Sequence, residues 1–219
     1  MLTNYDRFAR LGLKMNPFGT LLPDDWMNIA IMPPQLETLL AQGVKNIQLL
    51  GDKGRGKSTL LRLLVRHFQA QGERIAYEYL PYGKRHFETR LHDLDTFALD
   101  EAQRLWWHER ARLIIRTRKK RLLLGSHMDY SRLIPLETLH VAQLTDMPHI
   151  KRILTRRIAY FSVHTPQIDF TDDAVEVLWL RFKDDLRSMD AFLYTLFQRL
   201  ESPISLTAAL LWRADDKLT

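Results

Sequence analysis

No cysteine occurs in the 219-residue chain. Disulfides and thiolate metal sites are therefore excluded, and the chain suits a reducing compartment. No uninterrupted apolar run approaches the roughly 20 residues a bilayer span requires. The opening stretch MLTNYDRFARLGLK is amphipathic and lacks the apolar centre of a signal peptide, so a cytoplasmic location is expected. The eight histidines show no clustered spacing that would suit zinc. Glycine is scarce, nine in all, yet three of the nine stand close together at Gly51, Gly54 and Gly56. Hydrophobic residues make up 46% of the chain, enough for a sizeable core. The length suits one large domain, or a core domain with a small companion. The net charge of +6 favours an anionic partner, nucleic acid first, although surface lysine and arginine beside a nucleotide pocket would give the same balance.

The glycines mark the stretch around which the chain is organised. From Val44 the sequence reads VKNIQLL, then GDKGRGKST, then LLRLLVRH. Gly51, Gly56, Lys57 and Ser58 fit the phosphate-loop pattern G-x-x-x-x-G-K-[ST]. An apolar run precedes the loop, and Leu60, Leu61, Leu64 and Phe68 follow at helical spacing. Strand, glycine loop and helix are the context the motif needs. Across Gly51, Asp52, Lys53, Gly54, Arg55 and Gly56 the amides can converge on phosphate oxygens at the positive end of the helix. Lys57 would reach the β- and γ-phosphates, Ser58 would hold Mg²⁺, and Thr59 is placed to touch the α-phosphate. The competing reading is a glycine turn that merely caps a helix.

A second chemical signal follows. TFAL, residues 96–99, reads as a buried strand ending in the adjacent carboxylates Asp100 and Glu101. Downstream of a phosphate loop, Asp100 would bind Mg²⁺ through water and Ser58. Glu101 would orient and deprotonate attacking water. LLLGSH, residues 122–127, reads as another buried strand, whose Ser126 or His127 would point toward a γ-phosphate.

The rest of the chain supplies the frame. Tyr5, Phe8, Leu11 and Leu13 suggest a short helix, which Asn16-Pro17-Phe18-Gly19 interrupts. Phe18 or Ile31 could face an adenine ring or simply pack in a core. A helix is expected from Gln35 to Gln42, with Gly43 after it. Gly72 is a plausible stop for the phosphate-loop helix, and RIAYEYL, residues 74–80, reads as a strand. Tyr82 to Asp95 is a polar connection, open to a ligand or a partner. A helix is expected from Glu101 to Thr117, with Leu105, Trp106 and Leu113 inward. LHVAQL, residues 139–144, reads as the last core strand. Helices then follow from Asp146, from Thr171, from Leu186 and from Ser205, and the composition changes near Thr145.

Taken together, GDKGRGKS, TFALDEAQRL and LLLGSH, in this order, resemble the AAA+ ATPases. The later DDLRSMDAFLYTL resembles their sensor 2 signature, with Arg187 the matching arginine. LDEAQRL and the early Asn-Pro-Phe are most similar to the ExeA-, TniB- and TnsC-like ATPases of secretion and DNA transposition. The resemblance implies an α/β P-loop NTPase fold: a five-stranded parallel sheet of order 5-1-4-3-2 with a small C-terminal helical lid. It implies a core with its lead-in over residues 1–145 and a lid over residues 146–219. It implies ATP with Mg²⁺ at the site, homo-oligomeric assembly, and action on DNA or a protein partner such as a transposase or secretion component. The segment between LLLGSH and LHVAQL normally carries an arginine finger, and Arg132 is the only arginine there. Two functional readings follow: an ATP hydrolase that assembles on or remodels a partner, or a nucleotide-gated interaction module with negligible hydrolysis. A small-molecule kinase fits the Asp-Glu pair poorly, and no N-K-x-D motif supports a GTPase. The basic residues Arg110, Arg116, Arg118, Lys119, Lys120 and Arg121, or the face from Lys151 to Arg157, are the candidate DNA surfaces.

Overall fold

The computed structural model describes residues 4–215. They form two compact units, one of residues Met32–Leu144, the other of the described residues up to Ile31 together with those from Thr145 on. The lead-in therefore groups with the C-terminal helices. The cause is the apolar face of the lead-in: Phe8, Leu11, Leu13 and Phe18 are buried in one cluster with Ile158, Phe161, Leu193 and Phe197.

That unit comprises α1 (Asn4–Arg10) and α2 (Pro23–Ile29) from the lead-in. Its counterpart in the Met32–Leu144 unit contains, in chain order, α3 (Pro34–Ala41), β1 (Ile47–Leu50), α4 (Lys57–Ala70), β2 (Ile75–Tyr79), β3 (Thr96–Asp100), α5 (Trp107–Thr117), β4 (Arg121–Ser126), β5 (Glu137–His140) and α6 (Val141–Leu144). The helical unit resumes with α7 (Met147–Phe161), β6 (Asp169–Phe170), α8 (Asp172–Phe182), α9 (Leu186–Phe197), β7 (Ser205–Leu206) and α10 (Ala208–Asp215). Among the described residues no helix is long and apolar enough to cross a membrane.

The central sheet runs β2-β3-β4-β1-β5, all parallel, which is the order 5-1-4-3-2 read from its other end. A parallel sheet covered on both faces demands continuous apolar strands. All five residues of β3 are accordingly buried. One face packs Leu49, Ala98 and Leu123 against Leu61 and Leu64 of α4, and the other packs Phe97, Leu99, Leu122 and Leu124 with Leu113 of α5. Register sets Leu50 beside Ser126 and Asp100 beside Gly125, so the ends of β1, β3 and β4 share the carboxyl edge of the sheet.

Several local expectations give way to packing. Val141 to Leu144, expected as strand, is the helix α6; β5 ends at His140, and Val141 and Leu144 turn inward beside Leu36. Between Tyr82 and Asp95 the connection is anchored, with Phe87 and Leu91 buried and Phe87 tilted against Phe97 at 5.6 Å. Glu101 does not begin a helix. It takes the left-handed conformation (φ 61°), Ala102–Arg104 form a single 3₁₀ turn, and α5 starts only at Trp107. That change of phase turns Trp106 outward to 55% exposure. Ser205 pairs as strand with Asp169 rather than opening the last helix. Phe18 lies in the core of its unit, 5.0 Å from the ring of Phe197.

Candidate functional site

Gly54 (φ 87°) and Gly56 (φ 89°) hold a left-handed backbone that a Cβ would oppose, and this brings the chain from β1 into α4. Lys57 is the first residue of α4 and is only 4% exposed. Its ammonium donates to the Asp52 carbonyl at 2.7 Å. Burial pulls the Lys57 pKa below the ordinary lysine value, opposed by the charges of Glu101, Asp100 and Asp52. Ser58 and Thr59 are half-buried in the first turn of α4, Gly51, Gly54, Arg55 and Gly56 are half-buried in the loop, and Asp52 and Lys53 are exposed.

Asp100 ends β3 and is fully buried. Its Oδ2 accepts from the Tyr77 hydroxyl at 3.0 Å, and its Oδ1 accepts from the Glu101 amide at 3.0 Å. The same oxygen lies 2.5 Å from where a Cβ on Gly125 would stand, so the carboxylate occupies space that only glycine leaves open. Burial, then the charge of Asp100, pushes the Tyr77 pKa far up, which keeps its proton on the donor.

Glu101 follows at 9% exposure. Its Oε2 pairs with Arg104 at 2.6 Å and accepts from Gln103 Nε2 at 2.9 Å. Its Oε1 lies 3.7 Å from His127 Nε2, and that nitrogen is 3.4 Å from the Lys57 ammonium. Lys57, His127 and Glu101 thus form one chain of polar contacts at the carboxyl edge of the sheet. Ser126 is buried at the end of β4, and its hydroxyl accepts from the Met128 amide at 2.9 Å, a local turn contact.

The segment that carries His127 is held from several sides. Gln48, fully buried in β1, donates to the Met128 carbonyl at 2.6 Å and accepts from the Tyr130 amide at 2.9 Å. Tyr130 donates to the Ala102 carbonyl at 2.7 Å. Gln103 accepts from the His127 amide at 3.2 Å. A polar residue inside a buried strand is costly unless its hydrogen bonds are made, and Gln48 makes both kinds.

Arg132 is exposed on the turn between β4 and β5. Arg187 is exposed in the first turn of α9, in the other unit. The expected basic surfaces are partly taken up internally. Arg110 donates to the Leu105 and Gln103 carbonyls at 3.0 Å each. Lys120 donates to the Leu94 carbonyl at 2.5 Å. Arg121 pairs with Glu73 at 2.9 Å and stacks 3.9 Å over Phe68. Arg157 pairs with Asp190 at 2.8 Å and donates to the Pro17 carbonyl at 2.6 Å. Arg116, Arg118, Lys119, Lys151, Arg152 and Arg156 remain exposed.

Sequence reasoning missed Tyr77, Gln103, Arg104, Gln48 and Gly125. Arg104 had a local signal, three residues after Glu101. A glutamine inside an apolar strand is a signal of the same kind for Gln48. Tyr77 and Gly125 meet Asp100 only through strand register, which no local pattern displays.

The residues fit the group that the phosphate-loop pattern implies. A buried ammonium, a glycine-built loop at a helix N-terminus and a buried carboxylate on the same sheet edge offer donors to phosphate and an acceptor to a magnesium-bound water.

No family model and no curated protein matches the sequence. Solved structures do. A RuvB variant from Thermotoga maritima superposes with a TM-score of 0.54 at 15% identity, over 83% of this chain and 65% of that one. DnaA from Aquifex aeolicus bound to AMPPCP gives 0.54 at 15%, over 81% and 66%. NtrX from Brucella abortus in complex with ADP gives 0.55 at 16%, over 84% and 55%. The chain spans less than two thirds of the length of each of these. At such identity the likeness is one of fold, and the fold is that of a P-loop NTPase with a C-terminal helical region.

Proposed function

We propose that the chain is an AAA+ ATPase of the ExeA-, TniB- and TnsC-like kind. In this reading it binds ATP with Mg²⁺ and uses hydrolysis to assemble on, or remodel, DNA or a protein partner. The observation that carries the proposal is the convergence of Lys57, Asp100, Glu101 and His127 where β1, β3 and β4 end. Bound MgATP would supply the anhydride bond to be cleaved. The chain's own residues do the rest. Amides of residues 51–56 and the Lys57 ammonium hold phosphate oxygens, Ser58 and Asp100 hold the metal and its water, and Glu101 takes a proton from attacking water. Ser126 or His127 and, on the helical unit, Arg187 are the candidate γ-phosphate sensors. Arg132 is the candidate arginine finger, offered to a neighbouring copy. The core and lid division is proposed with the lead-in, up to Ile31, counted with the lid. The solved neighbours carrying ADP or AMPPCP support nucleotide as the ligand class.

One observation favours the alternative, a nucleotide-gated module with negligible turnover: Glu101 Oε2 is already engaged by Arg104 and Gln103. Two variants separate the readings. Lys57→Ala should abolish ATP binding. Glu101→Gln should bind ATP and trap it, while wild type releases phosphate. Equal ATP retention by both, with no phosphate from either, would leave the gated module standing.

A further inference from the structure

The carboxyl edge carries a second feature, which meets the nucleotide site only where Arg104 pairs with Glu101. Tyr79 is 46% exposed, Trp106 55% and Trp107 79%, although burial is the usual fate of large rings. Single exposed aromatics are ordinary, but these are joined. The Arg104 guanidinium lies 5.6 Å over the Tyr79 ring. Arg85 donates to the Arg104 carbonyl at 3.4 Å, and its own carbonyl accepts from the Trp106 amide at 3.0 Å. His108 sits edge-on to Trp106 and to Trp107, 5.6 Å from each. Tyr79, Arg104, Arg85, Trp106, His108 and Trp107 thus form a continuous strip, in which Arg104 turns inward to Glu101 and the Leu80 carbonyl and Arg85 is the outward cation between the rings. Arg85 and His108 are exposed with the tryptophans.

We infer that this strip is a stacking platform for unpaired nucleotides, which binds single-stranded DNA or RNA. Flat rings accept any base face, and interleaved cations follow the phosphate backbone. A protein-docking surface would shed charge at its centre, whereas the exposed Arg85 stands between Tyr79 and the tryptophans. Duplex hides its base faces, so it would find only the cations. The strip names the partner for the nucleotide-driven assembly proposed above, and in that sense rests on that reading. Strand binding itself requires no nucleotide, so the two can fail separately.

The test uses the full chain and a labelled oligothymidylate, followed by fluorescence anisotropy without nucleotide, with a duplex of the same length beside it. The single strand should bind more tightly than the duplex, and its affinity should fall as salt rises. Trp106→Ala and Trp107→Ala should each weaken it at least about fivefold, and the double variant more, given the worth of a stacked base. Trp106→Phe should recover part of the loss. Affinity for a fluorescent ATP analogue should be the same in the double variant as in wild type. No binding of the single strand, duplex bound as tightly, or an unchanged affinity in the double variant would overturn the inference. So would capture of a protein partner through these rings by a chain that ignores the oligonucleotide.

Discussion

Asp100 and Gly125 are a single device made of two residues. The carboxylate turns over β4 where the facing residue has no side chain, and the Tyr77 hydroxyl and Glu101 amide then fix it. Gly125→Ala forces the Oδ1 atom away from that contact. It should cost about 1–3 kcal/mol in a denaturant melt, as overpacking a filled interior does, and should weaken Mg²⁺-dependent ATP binding further. Tyr77→Phe leaves Oδ2 without its donor and should cost about 1–3 kcal/mol with little change in shape. Arg104 is different in kind, because its contact restrains rather than builds. Arg104→Ala removes the ion pair on Glu101 Oε2 and leaves the Gln103 hydrogen bond, and it should leave ATP affinity as it is and raise phosphate release in a steady-state assay.

Between elements, two charged links differ in what they are worth. Arg157 of α7 is 3% exposed at its side chain, pairs with Asp190 of α9, and lies over the rings of Phe18 and Trp26 from the lead-in. Burial alone pushes the Asp190 carboxyl up, against the pull of Arg157. Removing the cation leaves a partly desolvated carboxylate without its partner and empties the space over Phe18 and Trp26, so Arg157→Ala should cost about 3 kcal/mol in thermal or denaturant unfolding. Arg157→Met with Asp190→Leu should recover much of that, because both charges then leave together. Arg74 and Asp95 join the starts of β2 and β3 at the surface. The hydrogen bond from Arg74 holds the Asp95 carboxyl down at about 2. The native state therefore binds its proton later than the unfolded chain does. That stabilisation is complete above the ordinary carboxylate value and is lost as pH falls toward 2. Acid titration of Arg74→Ala beside wild type should show their difference in stability shrinking over that window, and the difference should be small because both groups are exposed.

At the scale of the whole molecule the proposed function turns on assembly. Arg132 stands exposed on a turn. If it completes a neighbour's site, Arg132→Ala should lower phosphate release by as much as about 10³–10⁵-fold while ATP binding by the isolated chain is kept. Mass measured by light scattering, with and without ATP and a single strand, should rise with ATP in wild type and stay at the monomer value in Lys57→Ala.

Local pattern alone determined the phosphate loop, α4, the acidic end of β3 and the polar end of β4, while the order of the sheet came from the family resemblance those motifs carry. Those features are written in residue types at fixed short spacing, where glycine, lysine and apolar period have direct conformational meaning. Contacts between distant segments decided the remainder. Glu101, expected to start a helix, instead takes a left-handed backbone and gives its amide to the Asp100 carboxylate. The lead-in joined the helical unit because its apolar face matched Phe161 and Phe197, more than a hundred residues away in sequence. Tyr77, Gly125 and Gln48 acquired meaning only when strands lay side by side in register. Arg110, Lys120, Arg121 and Arg157, which seemed available for DNA, were spent on carbonyls, carboxylates and ring faces that no spacing rule reveals.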